Sequence, residues 1–188
     1  MYQKQLENMI RKQSFLMDVL MALQKIAPLA YLSAGVIRNW VWSKIHEQDY
    51  LFEHTEIDVI FYDLKDEMDQ DALEINKRLA ALFPNNHWDV TNQAWVHRWY
   101  RTSSGAAISP LKSIEQAMSY WPETATAVAV RLNDRNQLEI IAPFGLNDLF
   151  ELKLRWNQTL VTKEVFIKRM QSKAFLQRWP KLELMDPL

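Results

Sequence analysis

Glu56 and Asp58 stand either side of one apolar residue in EIDVIFYD, a run of strand formers. Side chains alternate across a strand, so both carboxylates should project from one face while Ile57, Val59 and Phe61 project from the other. A pair of acids on one edge suits a hard divalent cation, although two solvated acids at a strand mouth explain the pattern as well. Just upstream, Ala30 to Ser33 reads as a short strand ending at Ala34-Gly35. Val36 to Ile45 reads as a helix with Ile37, Trp40 and Val41 available for burial. A glycine turn admits close backbone approach, and a helix start offers unpaired N–H groups with positive dipole potential. Arg38 and Asn39 fall in its first turn. A phosphate held there, with its metal on the acids, is one reading; a plain strand-to-helix turn is the other.

The rest of the chain must position these groups. Leu6, Met9, Ile10, Phe15, Leu16, Val19, Leu20 and Leu23 recur at helical spacing before Pro28 and predict one or two amphipathic packing helices. Asp66 to Leu82 is again helical, ended by Pro84-Asn85-Asn86, and a strand begins near His87. Helices alternating with strands predict an α+β fold, a mixed β-sheet covered by helices, with an N-terminal helix and a helical C-terminal segment. Asp89, in WDVTN, is the candidate third acid. If a helix starts at Asn92, that residue is its N-cap and His97 lies about one and a half turns on. Asn92, Gln93 and His97 could read a base edge or orient a metal-bound water, or could be a cap with a packed histidine.

RTSSGAAISP, from Arg101 to Pro110, is a loop, either a lid or a connector. Leu111 to Met118 predicts a helix, Thr124 to Leu132 and Leu138 to Ile141 a hairpin, and Glu151 to Trp156 a last strand with Leu152 and Leu154 on one side. Asp148 reads as a cap or solvated acid. Val165 to Phe175 predicts a closing helix with Lys168, Arg169 and Lys173 exposed. A tryptophan content of eight invites thoughts of base stacking, but core and interface roles are the simpler expectation.

At 48% hydrophobic the 188 residues can bury a sizeable core, and residues 1–188 are expected to form one domain. The chain has no cysteine, which excludes disulfides and thiolate metal sites. No apolar run approaches a membrane span and the first residues lack a signal-peptide layout, so a cytoplasmic location away from membranes is expected. The net charge of -1 gives no global drive toward nucleic acid.

The segments AGVIRNWVW, EIDVIFYD, WDVTNQAWVHRW and IAPFGLNDLF, in that order, resemble a bacterial nucleotidyltransferase-like family of the DNA polymerase beta-like nucleotidyltransferase superfamily. The resemblance runs from about Tyr31 to Trp156, with a fainter echo in WPKL at Trp179 to Leu182. It implies magnesium on Glu56 and Asp58, with Asp89 as the third catalytic carboxylate. It also implies nucleotide contacts at Ser33, Gly35, Arg38, Asn39, Asn92, Gln93 and His97, and transfer of a nucleotidyl group from a nucleoside triphosphate to an unknown acceptor. The superfamily usually has Gly-Gly or Gly-Ser at the phosphate turn and Asp as first acid, whereas here Ala34 precedes Gly35, Val36 follows it and Glu56 is the first acid. These departures keep open a noncatalytic nucleotide- or protein-binding module that retains the fold. A metal hydrolase using His87 and His97 is a further alternative, but those residues lack metal-ligand spacing.

Overall fold

A computed structural model describes residues 1–185. The N-terminal amphipathic run is two helices, α1 (Tyr2–Arg11) and α2 (Ser14–Ile26), because the Gln13 side chain accepts the Phe15 N–H and starts the second. There follow β1 (Tyr31–Ser33), α3 (Gly35–Ile45), β2 (Glu56–Phe61), α4 (Gln70–Leu82), β3 (His87–Asn92) and the short helices α5 (Val96–Trp99) and α6 (Ile114–Met118). A 3-10 turn at Thr124–Thr126 leads into β4 (Ala129–Leu132) and β5 (Leu138–Ile141). The chain continues through α7 (Asn147–Phe150), β6 (Lys153–Leu154), α8 (Lys163–Ser172), α9 (Phe175–Arg178) and β7 (Glu183–Leu184).

The five-stranded sheet has the order β3-β2-β1-β4-β5. Only β2 and β3 run parallel, and the crossover between them is α4; the remaining neighbours are antiparallel. Ile57, Val59 and Phe61 enter the main core with Leu32, Val130 and Leu132, under α2 residues such as Leu20 and Leu23 and α4 residues such as Leu79. The opposite face is divided. At one end Tyr31, Ile60 and Ala129 pack with Met118 of α6, and at the other end stand Glu56 and Asp58. Burying one face and leaving the other partly open is what the alternation in β2 requires.

Several local expectations change: the helix expected over Leu111 to Met118 starts at Ile114, and the strand expected over Thr124 to Leu132 starts at Ala129, after the 3-10 turn. Asn92 ends β3 instead of capping a helix, and α5 begins only at Val96. The strand expected over Glu151 to Trp156 shrinks to Lys153–Leu154 because Leu152 adopts φ 57, which an extended strand cannot accommodate. That remnant pairs in parallel with β7 in a separate two-stranded sheet. The closing helix is broken after Ser172, where Ala174 (φ 51, ψ 40) turns the chain into α9.

Candidate functional site

Strand pairing brings the acids together. Asp58 and Asp89 are register partners in the parallel β2–β3 pair, so their side chains share a face, and Glu56 lies on that same face of β2. All three line a cavity of about 530 Å3, within the range usual for small-ligand sites. Ser33 of β1 is the partner of Asp58 on the other side, and the chain turns from it into α3 at the cavity edge. The sheet order therefore sets the acids of β2 between the glycine turn beyond β1 and Asp89 on the edge strand.

Burial and the neighbouring charges of Asp89 and Glu56 push the Asp58 carboxyl up to about 6, against smaller opposing effects of the Gly35 amide and Arg38. Asp89 is fixed by a hydrogen bond from the Thr91 hydroxyl at 3.1 Å. Arg38 is 2% exposed. It donates to Asn39 Oδ1 and Thr126 Oγ1, lies 3.9 Å from Glu123, and stacks over Phe175 at 4.5 Å and Trp42 at 5.2 Å. Burial lowers its pKa to about 10, with Glu123 opposing the shift.

The candidate nucleotide contacts divide in two. Gly35, Arg38, Asn39 and Gln93 line the cavity. Gln93 is 6% exposed, and its amide has no hydrogen-bond partner among the described residues, which leaves a donor and an acceptor facing the cavity. Ser33, Asn92 and His97 do not line it. The Ser33 hydroxyl donates to the Asp58 carbonyl at 3.2 Å. The buried Asn92 amide is spent on backbone: Oδ1 accepts the Asp63 and Ala94 N–H groups, and Nδ2 donates to the Asp63 carbonyl. His97 packs beside Trp95 at 5.9 Å with Nδ1 buried and unpaired.

The turn carries its strain at Ala34 (φ 55, ψ -121), one residue before the glycine that marks it in the sequence. L side chains rarely adopt that backbone, and the cost is on the order of 1–3 kcal/mol. A Cβ added at Gly35 would meet Asp58 Oδ2 at 3.7 Å, an ordinary contact, so the conformational demand falls on Ala34. Ala34→Gly is therefore expected to stabilise the protein by about 1 kcal/mol, part of the relief being lost to the freer unfolded chain. Urea denaturation measures this, and an unchanged or lower midpoint would show that the turn is unstrained.

The sequence pattern did not point to Glu123, Thr126 and Arg178, and it set Arg169 and Lys173 on an exposed helix face. Glu123 is fully buried, accepting from Arg169 Nε at 2.6 Å and the Thr126 hydroxyl at 2.8 Å. Arg169, Lys173 and Arg178 line the cavity from the C-terminal helices. A usable signal existed for two of them: Phe166 and Met170 are buried on α8, and Arg169 and Lys173 follow each by three positions, flanking that stripe. Asp148 has partners as well, Arg155 Nε at 2.8 Å and the Thr124 hydroxyl at 2.7 Å. Of the tryptophans, Trp99, 62% exposed, and the half-buried Trp121 line the cavity.

Among solved structures, the chain is similar to one determined by NMR and described as a CCA-adding enzyme head domain. The TM-score is 0.78 and the identity 25%, covering 98% of this chain and 96% of that one. A CCA-adding enzyme in complex with CTP matches at TM-score 0.56 and 16% identity over 93% of this chain. The Thermotoga maritima CCA-adding enzyme complexed with tRNA matches at 0.55 and 15%, also over 93%. This chain spans only 41% and 40% of those two enzymes, and their likeness speaks for the fold alone. No protein of curated function matches the sequence. No helix among the described residues is long and apolar enough to cross a membrane. A family model described as nucleotidyltransferase matches residues 24–184, and with the acids, turn and sheet arranged as above, the chain belongs to that nucleotidyltransferase family.

Proposed function

We propose that the protein is a metal-dependent nucleotidyltransferase that moves a nucleotidyl group from a nucleoside triphosphate to an acceptor hydroxyl. The observation that carries this reading is the register of Asp58 with Asp89, beside Glu56 on the same face and in one cavity with the Gly35 turn. Carboxylates are hard oxygen donors that suit Mg2+, an ion that binds one or two of them and fills its octahedron with waters and substrate phosphates. Among the described residues no group of three or more His, Cys, Asp or Glu side chains is set to hold an ion, so the proposed ligands are Glu56 and Asp58 alone. An ion there supplies neutralisation of charge on the phosphoryl oxygens.

The chain's own groups do the rest. Asp58 is charged above about pH 6 and so presents a carboxylate at neutral pH. Asp89, held by Thr91, faces the acceptor side and orients the acceptor hydroxyl. As the acceptor oxygen bonds to the α-phosphorus, the bond to the pyrophosphate oxygen breaks. Gln93 and Asn39 offer amides to the nucleotide from opposite sides of the acids. One CCA-adding enzyme of this fold was determined with CTP and another with tRNA, and this chain spans 41% and 40% of them.

The test is calorimetry with Mg2+ and each nucleoside triphosphate, then transfer of labelled nucleotide. Glu56→Ala should lower transfer by about 100-fold or more, in line with losing a major electrostatic contact to the transition state. Turnover unaffected in that variant would overturn the proposal. The lack of a three-ligand group favours the second reading, a noncatalytic nucleotide-binding module. Triphosphate binding without any wild-type turnover would select it.

A further inference from the structure

The groups first expected to hold phosphate are largely engaged. The Gly35 amide acts on the Asp58 carboxyl, the Ser33 hydroxyl is bonded to the Asp58 carbonyl, and Arg38 is fixed by Asn39 and Thr126 and covered by two aromatic rings. Yet the cavity wall beyond α3 is strongly basic. Arg38, Arg169, Lys173 and Arg178 line it, and the carboxylate that pairs with any of them is Glu123, shared by Arg38 and Arg169. Lys173 and Arg178 have no carboxylate partner among the described residues, and both are exposed. Two of the four cations are thus structural, and two are unspent.

The unspent pair is not on a loose tail. Lys173 and Arg178 flank α9, whose Phe175 and following Trp179 are both buried. Trp179 packs edge-on to Trp42 at 5.2 Å and donates its indole N–H to Ser43 Oγ, and Phe175 meets Trp42 at 5.7 Å. The left-handed turn at Ala174 sits between the two cations and lets both residues border one cavity. The Arg178 guanidinium lies 4.4 Å from the Trp179 ring, which supports the guanidinium while leaving its outward donors available.

We infer that Lys173 and Arg178 form the grip for the polyphosphate chain of a nucleotide, in the cavity that the acids also line. The inference rests on the transferase reading for its occupant, and it assigns to the C-terminal helices the anion binding that the engaged turn does not supply. A polyphosphate is the ligand class that fits, because it carries several negative charges along one chain and the cavity offers it two cations without a carboxylate partner among the described residues. Forked and point-charge donors are the usual partners of phosphate oxygens.

The test uses inorganic tripolyphosphate with chelator present and no metal, so that the acids are not needed. Wild-type protein should bind it, and the double variant Lys173→Ala/Arg178→Ala should bind about 30-fold more weakly or worse, as expected for two lost charge-assisted contacts. Lys168→Ala, which removes an exposed α8 cation that does not line the cavity, should bind as wild type does. Equal binding by the double variant, an equal loss in Lys168→Ala, or no binding by the wild type would overturn the inference. If the grip behaves as stated while no transfer is found with any triphosphate, the transferase reading fails and the polyphosphate site stands.

Discussion

Asp58→Asn should make the protein more stable and, in the same step, abolish metal-dependent nucleotide binding. The folded protein holds the Asp58 carboxyl at about 6 against an ordinary 3.8, chiefly through burial and the neighbouring acids. A carboxyl whose folded pKa is raised favours the folded state when it is neutral. That advantage is full below about 3.8 and disappears as pH rises through about 6, so above 6 the charged group costs stability on the order of 3 kcal/mol. An amide of the same shape removes the charge, and a gain of about 1–3 kcal/mol at pH 7.5 is expected, shrinking toward zero near pH 4. For a domain of this size each kcal/mol moves the Tm by about 2–4 °C. Metal affinity in the wild type should show the opposite trend, rising with pH through about 6 as the ligand ionises. Mg2+ should therefore raise the wild-type Tm beyond the effect of the triphosphate alone by mass action and add nothing to that effect in Asp58→Asn. Thermal melts of both proteins, with and without Mg2+ and triphosphate, at pH 4 and 7.5 provide the check. A variant less stable than wild type at pH 7.5, or one to which Mg2+ still adds stability beyond the triphosphate alone, would falsify the assignment.

Glu123→Ala carries the largest expected loss. Its carboxylate is 0% exposed, 2.6 Å from Arg169 Nε and 3.9 Å from Arg38 Nη1. Removing it leaves Arg38 buried without an ion-pair partner among the described residues, with only the weaker influence of Asp58 remaining, and releases Arg169 from the wall of the site. Breaking a buried pair by deleting one partner typically costs about 3–5 kcal/mol, a Tm drop on the order of 10 °C. Glu123→Gln keeps one of the two acceptor oxygens that Arg169 and the Thr126 hydroxyl use and loses the charge, and should fall between wild type and Ala. If Glu123→Ala melts within about 1 °C of wild type, the network is not structural. The paired substitution Arg38→Met with Glu123→Leu would recover much of the loss, since a well-packed apolar replacement of a buried ion pair is often neutral.

The legible parts of this site are those whose physics is local. The two-residue period of a strand puts Glu56 and Asp58 on one face whatever the sheet order, and the small-residue turn before Val36 announces the helix start. Asp89 joins them through the pairing of β2 with β3, a non-local fact that WDVTN suggests without fixing. Asn92 shows the limit more sharply. Its polar neighbours look like a helix start, but its partner is the backbone of Asp63, 29 residues earlier. Glu123 follows Pro122 in an irregular stretch with no periodicity to read, so its pairing with Arg169, 46 residues later, is visible only in three dimensions. Around Leu152 the apolar alternation does mark the buried side chains, and only the backbone angle at Leu152 says that the strand does not extend.

The anchoring of Trp179 on Trp42 and Ser43 joins positions 136 residues apart, and this governs when the cleft can first exist. Glu56, Asp58 and Asp89 all precede Trp156, whereas Arg169, Lys173 and Arg178 all follow it. A nascent chain emerging from the ribosome would thus assemble its acidic half early and acquire its cationic half only after the last helices are synthesised and docked. A fragment ending at Trp156 would display these carboxylates with only the Arg38 side of the cationic wall to oppose them.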